Sequence, residues 1–283
     1  MTPALRTAYA NLLAVFRDQA RVLVAFSGGI DSLLVLRGAI DALGNDPVEA
    51  ITAVSPALAE DERLAAIDLA RSLGARHRLI ESHELDDPNY RANASNRCFF
   101  CKSELYRIMT ELAEAHPDAL IVNGTNVDDL GDHRPGLAAA ERAGVRSPLV
   151  EAGLGKEAVR ALARELGLTI WDKPASPCLA SRVPYGSPVT RERLQRIEQA
   201  ERALRSHGFR EFRVRFHETI ARLELGPEDF ERLVDMDLRR RITEQIKAAG
   251  FQYACVDLVE FRSGRLNMEG FDPGLAATRN QLP

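Results

Sequence analysis

A short apolar strand that ends in a glycine turn and continues as a helix is the feature that most constrains this chain. The pattern predicts the strand, the turn and the helix at residues 21–26, 27–29 and 30–43. Further apolar runs alternate with helical patterns, at residues 49–54, 76–80 and 119–122. Strands that alternate with helices in this way predict an α/β fold, with a parallel, doubly wound sheet covered on both faces.

The turn begins the order SGGIDS at residues 27–32. Gly28 and Gly29 let backbone N–H groups approach an anion closely, and the helix that follows adds a partial positive charge at its N-terminus. Ser27 and Ser32 offer hydroxyl donors to phosphate oxygens. A glycine turn with a serine cap is the simpler interpretation. Six consecutive residues between a strand and a helix nevertheless favour phosphate binding, at the carboxyl end of the strand.

This order resembles the PP-loop of N-type ATP pyrophosphatases, and it lacks the lysine of a Walker A loop. The resemblance implies a fold of the adenine nucleotide alpha hydrolase (PP-loop) type. Such enzymes cleave ATP to AMP and pyrophosphate and use the AMP to activate a substrate oxygen. The resemblance also implies that Asp31 helps to hold Mg²⁺ on the pyrophosphate. The residues that we expect to bind ATP are Ala25, Phe26, Ser27, Gly28, Gly29, Asp31, Ser32, Ser55, Gly124 and Thr125.

Two later segments would complete the nucleotide site. Ser55 follows the second predicted strand, where main-chain atoms would pass the adenosine. Residues 123–129 (NGTNVDD) follow the fourth predicted strand and would close over the nucleotide. Asp128 or Asp129 is then the expected partner of Asp31 in holding Mg²⁺. An Asn-Gly turn with capping aspartates is the simpler interpretation of the same segment.

Composition limits the expected partners and compartment. Hydrophobic residues make up 45% and charged residues 28% of the 283 residues, as in soluble globular proteins. The formal net charge is −4, so we expect no nucleic-acid partner. No apolar run reaches membrane-spanning length and the N-terminus lacks a secretory pattern, so we expect no membrane partner and a cytoplasmic location. Cytoplasmic thiols stay reduced, which argues against a disulfide framework.

Cys98 and Cys101 form a C-x-x-C at the start of a predicted helix. That spacing puts two thiolates within reach of one metal. A thioredoxin-like redox pair is the alternative, but such motifs usually follow the first strand of a smaller fold. A structural zinc site would need four ligands, of which Cys178 could be a third.

Cys178 lies in a Pro- and Ser-rich loop, where Lys173 and Arg182 would favour its nucleophilic thiolate form. A small buried hydrophobe is the usual interpretation of a single cysteine. Cys255, within an apolar run, fits that interpretation, and we assign it no chemistry. The loop around Cys178 does not fit it, which makes Cys178 the candidate nucleophile.

The pattern changes towards the C-terminus and predicts two domains, residues 1–185 with the PP-loop and residues 186–283 as a smaller α+β domain. Arg213 and Arg215 are two residues apart on a predicted strand, so both side chains lie on one face. Guanidinium groups suit phosphate and carboxylate, and Arg262 could join them. Glu224, on the next strand, would orient these groups. A solvated strand face is the simpler interpretation.

Several segments together resemble the LarE family, ATP-dependent sulfur transferases of nickel-pincer nucleotide cofactor synthesis. They are SGGIDS, RCFFCK, NGTNVDDLGDHRPG, SPL, WDKPASPCLASR, FRVRFH and FRSGRLN, spread over residues 12–268. The resemblance implies that the enzyme adenylates a carboxylate of a small nucleotide substrate, pyridinium-3,5-biscarboxylic acid mononucleotide. A sulfur then replaces the activated oxygen. It also implies that Arg213, Arg215 and Arg262 bind this substrate in a second domain that oligomerises, and it suggests a homo-oligomer such as a hexamer.

The resemblance leaves the sulfur source open. In single-cysteine members the cysteine that matches Cys178 gives up its own sulfur and becomes dehydroalanine. In three-cysteine members the thiolates hold a [4Fe-4S] cluster whose fourth iron carries an extra sulfide. Cys98, Cys101 and Cys178 make this chain similar to the cluster type, which would need a sulfide donor. Three thiolates leave one iron open, which suits ligand transfer.

Other functions share parts of this pattern. A tRNA thiolase with a PP-loop should show a basic face, which the acidic balance does not favour. A glutamine-dependent synthetase would need an amidotransferase domain, for which this length leaves no room. A nucleotide-binding or iron–sulfur sensor without turnover is the alternative from a different class. Pyrophosphate release from ATP in the presence of substrate separates an enzyme from a sensor.

Overall fold

The computed structural model describes residues 1–131, 135–171 and 176–261. The chain divides into two compact units. The first unit comprises residues 1–90 and 96–176, and the second comprises residues 91–95 and the chain from Pro177 onward. Within the described ranges, no helix is both long enough and apolar enough to cross a membrane.

The first unit is built on a parallel sheet with the strand order β3-β2-β1-β4. Its strands are β1 (Arg21–Ala25), β2 (Val48–Val54), β3 (Arg76–Glu81) and β4 (Ala119–Val122). The helices that begin in this unit are α1 (Pro3–Ala14), α2 (Ile30–Leu43), α3 (Glu60–Ser72), α4 (Pro88–Arg91), α5 (Arg97–Ala113), α6 (Pro135–Arg142), α7 (Pro148–Glu151) and α8 (Lys156–Glu165). Arg146 extends the sheet beyond β4 through a parallel bridge with Val122.

Successive side chains of β1 enter two different cores, because they point to opposite faces of the sheet. Val22 and Val24 pack with residues of α1, α2, α3 and α8 on one face. Leu23 and Ala25 pack with residues of α5 and α6 on the other. A strand buried on both faces is continuously apolar, as the run at residues 21–26 is. This confirms the predicted α/β fold with a parallel, doubly wound sheet.

The second unit contains a smaller mixed sheet with the strand order β5-β6-β7. Its strands are β5 (Phe212–His217), β6 (Ile220–Leu225) and β7 (Tyr253–Val256), and its helices are α9 (Arg191–Ser206), α10 (Pro227–Glu231) and α11 (Met236–Ala248). β5 and β6 are antiparallel, whereas β6 and β7 are parallel and joined by α10 and α11. Thr190 caps α9, because its hydroxyl accepts the N–H of Arg193 at 3.2 Å.

β7 corrects one interpretation of the sequence. It is a short strand that ends at Val256. Cys255 is exposed, not buried as expected. Successive side chains of a strand point to opposite faces of the sheet, and Cys255 lies on the same face of β7 as the exposed Tyr253.

Candidate active site

The PP-loop, residues 27–32, connects β1 to α2 and is tied together by its own hydroxyl groups. The Ser32 hydroxyl donates to the carbonyl oxygen of Gly29 at 3.0 Å and accepts the N–H of Ser27 at 3.3 Å. The N–H of Gly29 donates to the Ser27 hydroxyl at 3.3 Å. Gly29 is the residue before α2 and has no side chain to cap it. The first N–H groups of α2 therefore face a position suited to an anion.

Two glycines permit the close approaches on which this site depends. Gly28 has φ +71°, and a Cβ there would lie 3.1 Å from the Cβ of Ala66. Gly124 follows β4, and a Cβ there would lie 2.7 Å from the backbone nitrogen of Ser32. Because real Cβ atoms do not approach a backbone nitrogen so closely, only glycine lets the segment after β4 contact the start of α2. The predicted ATP-binding residues Ser32 and Gly124 therefore meet.

A polar group surrounds Asp31 at the start of α2. The Asn126 amide donates to the Asp31 carboxylate at 2.9 Å, and Asn126 is completely buried. Lys156 Nζ lies 3.3 Å from the buried Asp129 carboxylate. Burial raises the pKa of Asp31, and the charge of Asp129 acts in the same direction, whereas the Asn126 hydrogen bond and Lys156 oppose the rise. Asp31 and Asp129 are thus close enough for their charges to interact.

Three other predicted residues of the nucleotide site have local partners. The Asp128 carboxylate accepts the N–H of Lys156 at 2.6 Å, which caps the start of α8. The Ser55 hydroxyl accepts the N–H of Ala57 at 3.1 Å. The N–H of Thr125 donates to the side chain of Asn123 at 2.9 Å. Of the two aspartates expected near Asp31, the structure gives Asp128 a capping contact and Asp129 an electrostatic interaction with Asp31.

Cys98 lies in the first turn of α5, which begins at Arg97, and Cys101 follows at the start of the second turn. Cys98 is exposed and Cys101 is half-buried. Residues three apart on a helix lie on the same side, so the two thiols share one side of α5. The described residues contain no group of three or more His, Cys, Asp or Glu side chains arranged to hold a metal ion.

Cys178 is exposed at the start of a 3₁₀ turn, Leu179–Arg182. We call residues 177–182 the Cys178 turn. Arg182 is almost completely buried, and its Nη1 donates to the carbonyl oxygens of Cys178, at 3.1 Å, and of Pro177. Its Nε donates to Glu201 at 2.9 Å. Arg182 therefore contacts the backbone of the Cys178 turn, whereas Lys173 lies outside the described residues.

Of the predicted arginines of the second unit, Arg215 belongs to a buried network of charges and Arg213 is half-buried. Arg215 donates to Glu224 at 2.9 Å and to the carbonyl oxygen of Ser181 at 2.8 Å. Arg213 lies 4.8 Å from the centre of the Phe261 ring. Burial lowers the pKa of Arg213 to about 10, and the nearby positive charges contribute. Arg262 lies outside the described residues.

The Arg182–Glu201 pair is the part of this network that the motifs do not indicate. The charge of Arg182 lowers the pKa of Glu201, although burial alone would raise it. A signal for Glu201 was nevertheless present in the sequence. It occupies the same helical stripe of α9 as Leu194, Ile197 and Leu204, all completely buried, and a carboxylate in such a stripe needs a buried cation.

The parallel sheet and the glycine loop at the end of its strand β1 define an α/β protein of the PP-loop class. No family model matches the chain. It is 45% identical over 257 residues to an uncharacterized protein of Synechocystis, covering 91% of this chain and 96% of that one. It is 43% identical over 264 residues to the pyridinium-3,5-bisthiocarboxylic acid mononucleotide synthase of Lactiplantibacillus plantarum, covering 93% and 95%. The chain therefore belongs to the LarE family and is an ATP-dependent sulfurtransferase.

A more distant similarity supports the PP-loop assignment. The chain is 29% identical over 202 residues to the glutamine-hydrolyzing GMP synthase of Bdellovibrio bacteriovorus. That match covers 64% of this chain and 39% of the synthase. The match relates the chain to a second kind of PP-loop enzyme, but it does not assign the GMP synthase reaction to this chain.

Proposed function

We propose that this enzyme adenylates a carboxylate of pyridinium-3,5-biscarboxylic acid mononucleotide and replaces the activated oxygen with sulfur. The observation that carries the proposal is the contact of Gly124 with the PP-loop at the start of α2. It occurs in a chain 43% identical to a synthase whose named product is a bisthiocarboxylic acid mononucleotide. That product carries sulfur where the proposed substrate carries oxygen.

In the first step, a substrate carboxylate oxygen would attack the α-phosphorus of ATP. A new O–P bond forms, the bond to the β-phosphate oxygen breaks, and pyrophosphate leaves. The backbone N–H groups of Gly28 and Gly29, the hydroxyls of Ser27 and Ser32 and the start of α2 would hold the pyrophosphate. Ala25, Phe26, Ser55 and Thr125 would line the rest of the nucleotide site, mainly through backbone atoms.

The residues beside Asp31 fit a magnesium ion. Asn126 Oδ1 is buried and has no hydrogen-bond partner within the part of the chain that the structure describes. A buried oxygen of this kind next to carboxylates suits a hard cation. We propose that Asp31, Asn126 and Asp129 hold Mg²⁺, and that Asp128 supports them from its cap on α8. When bound, Mg²⁺ would neutralise charge on the departing pyrophosphate.

In the second step, a sulfur nucleophile would attack the acyl carbon of the adenylate, and AMP would leave. Cys178, exposed on its turn, is one candidate donor. We propose that Cys98 and Cys101, on one side of α5, would supply two ligands of a [4Fe-4S] cluster and Cys178 the third. When bound, such a cluster would supply a sulfide delivered by an external sulfide donor. We keep both sources in the proposal, because the reaction ends in the same thiocarboxylate.

The arginines of the second unit would bind the substrate's phosphate and carboxylates. Arg213 has lost much of its hydration, which strengthens its attraction to an anion. Arg215 is already paired with Glu224, so we propose that it orients the site, with Arg262 as a further anion ligand. We also propose that the enzyme works in the cytoplasm, where its thiols stay reduced, and forms a homo-oligomer.

The test of this reaction is incubation of the full chain with ATP, Mg²⁺ and pyridinium-3,5-biscarboxylic acid mononucleotide. We expect pyrophosphate and AMP in equal amounts and a substrate mass that shows oxygen replaced by sulfur. Xanthosine monophosphate with ammonia serves as the matched substrate of an amide-forming PP-loop enzyme. Pyrophosphate release with that substrate, and none with the dicarboxylate, would refute the proposal.

The sulfur source is tested by measuring iron and acid-labile sulfide after strictly anaerobic purification. About four of each per chain, lost in Cys98→Ala, would support the cluster. Cys255→Ala is the matched control, since it removes an exposed cysteine outside the proposed ligand set. If no iron binds even after reconstitution, the cluster is excluded, and dehydroalanine at residue 178 after one turnover is expected.

A further inference from the structure

The carbonyl oxygen of Cys178 accepts two hydrogen bonds. The backbone N–H of Ser181 donates to it at 2.9 Å. Arg182 Nη1 donates to it at 3.1 Å. Donors about 2.7–3.1 Å from an oxygen, one from the backbone and one from a cation, have the distances of an oxyanion hole. Because this carbonyl is bonded to the Cα of Cys178, it would carry the charge if that Cα lost its proton.

The guanidinium of Arg182 is fixed in place. Its exposed fraction is 3%, and that of Glu201 is 1%. Its Nε and Nη2 donate to the two carboxylate oxygens of Glu201 at 2.9 and 3.2 Å. A bidentate ion pair in a buried position holds the donor group without competition from water. The positive charge beside the Cys178 carbonyl is therefore present before any reaction begins.

A second buried pair fixes the other end of the Cys178 turn. Arg215 donates to the carbonyl oxygen of Ser181 at 2.8 Å and is paired with Glu224, whose exposed fraction is 0%. The backbone of the turn is thus held from inside the second unit, whereas the Cys178 side chain is exposed. A rigid backbone with an exposed thiol suits chemistry that breaks a bond at Cβ.

We propose that Arg182 and the N–H of Ser181 stabilise an enolate at Cys178 and so promote β-elimination of its sulfur. The inference rests on the part of the proposed function in which Cys178 is the sulfur donor, and it assigns Arg182 a role in that step. The positive charge and the two hydrogen bonds strengthen as the oxygen becomes negative, which lowers the barrier to Cα deprotonation.

The step balances without an oxidant or reductant. Cys178 Sγ first attacks the acyl-adenylate, which forms a thioester and releases AMP. A base, water in the simplest case, takes the Cα proton. The electron pair forms the Cα–Cβ double bond while the Cβ–Sγ bond breaks. Its electrons leave on the thiocarboxylate sulfur, and residue 178 remains as dehydroalanine.

The test replaces the substrate with a reagent, so that it is independent of ATP and of the proposed function. A bis-alkylating dibromide forms a cyclic sulfonium at an exposed cysteine, and this group leaves by the same Cα deprotonation. The full chain, freed of metal by chelation, is treated and digested, and adducts and dehydroalanine are quantified by mass spectrometry. Cys255 is an internal reference, because it is also exposed in the structure.

We expect elimination from the Cys178 adduct to be at least about tenfold faster than from the Cys255 adduct. Arg182→Gln combined with Glu201→Gln removes the charge without leaving a lone buried carboxylate. Elimination at Cys178 should then slow about tenfold, while the preceding alkylation, which depends on exposure, keeps its rate. Arg205→Gln is the matched control, because Arg205 Nη1 lies 3.6 Å from the same Glu201.

Three results would overturn the proposal. One is equal elimination rates at Cys178 and Cys255 in the wild-type chain, a comparison that needs no variant to fold. Another is an unchanged elimination rate at Cys178 in the folded double variant. A loss of alkylation and elimination together would assign Arg182 a structural role only and would also overturn it.

Discussion

The PP-loop in the first unit and the Cys178 turn in the second are stabilised by opposite kinds of contact. The PP-loop is tied by neutral hydroxyl and backbone groups that lie within six residues of one another. The Cys178 turn is tied by two buried arginines, Arg182 and Arg215, each paired with a buried glutamate. A site for an anion can use backbone dipoles alone, whereas an irregular turn needs distant side chains to fix it.

The contrast indicates which part of the chain would support each of the two proposed steps, adenylation and sulfur transfer. The proposed adenylation would need donors aimed at phosphate, and a strand, two glycines and a helix start would supply them locally. In the proposed reaction, sulfur transfer would use Cys178, which lies outside regular structure. The glutamates that fix the arginines lie on α9 and β6, so this position depends on the folding of the second unit.

The largest expected effect is that of Cys178→Ala, which tests whether the PP-loop and the Cys178 turn act in different steps. Cys178→Ala should abolish thiocarboxylate formation, because either sulfur source uses this thiol. Substrate-dependent pyrophosphate release should persist through one turnover, since the PP-loop lies in the first unit. Both products are measured in a single-turnover assay, with Cys255→Ala as the control that retains both. Loss of pyrophosphate release in Cys178→Ala would contradict the separation of roles.

Gly124→Ala tests the other region. Its Cβ would lie 2.7 Å from the Ser32 nitrogen and must displace backbone, so we expect the KM for ATP to rise about tenfold or more. Alkylation of Cys178 should be unaffected. Gly131→Ala is the matched control, because a Cβ at Gly131 meets nothing within 4 Å. A wild-type KM in Gly124→Ala would show that the contact with α2 does not shape the nucleotide site.

Glu201→Gln tests the buried charge pair through stability. We expect a loss of about 3 kcal/mol in urea unfolding near neutral pH, because Arg182 keeps its charge without a full counter-ion. Arg205→Gln removes a half-buried arginine 3.6 Å from the same carboxylate and should cost less than about 1 kcal/mol. A loss equal to that of Arg205→Gln would mean that the pair contributes little.

The same variant predicts a pH dependence. The charge of Arg182 holds the pKa of Glu201 below its ordinary value of 4.5 in the folded chain, against the effect of burial. The carboxylate therefore stabilises the fold above the unfolded pKa, and this contribution is lost as pH falls through the folded pKa. The stability gap between wild type and Glu201→Gln should narrow below about pH 4. A gap that stays constant with pH would exclude the ion pair as its cause.

The smallest effect concerns the helix that carries Glu201. Thr190→Ala removes the cap of α9 and should lower the free energy of unfolding by about 1 kcal/mol. Thr190→Ser keeps a hydroxyl and should retain most of the stability that the cap contributes. Equal losses in both variants would argue that packing of the Thr190 methyl group, and not capping, supports α9.

The PP-loop segment could be predicted well because its signals are local. β1, the PP-loop and α2 follow from apolar run, glycine turn and helical spacing within a short segment, and α2 has the predicted bounds. The roles of Asp128 and Asn126 could not be separated in this way. Both residues lie in one polar segment. Only the folded chain shows that Asp128 caps the start of α8, whereas Asn126 donates a hydrogen bond to Asp31.

The sequence by itself determined the α/β class, the PP-loop and the membership of the LarE family, because periodicity and short motifs act over neighbouring residues. The tertiary structure alone decided which charged groups meet. Glu201 is distant in sequence from Arg182, and Arg215 from Ser181, yet these contacts hold the Cys178 turn. A buried charge needs an oppositely charged partner, and that partner can come from a distant part of the chain. The spacing of residues along the sequence does not show which residue it is.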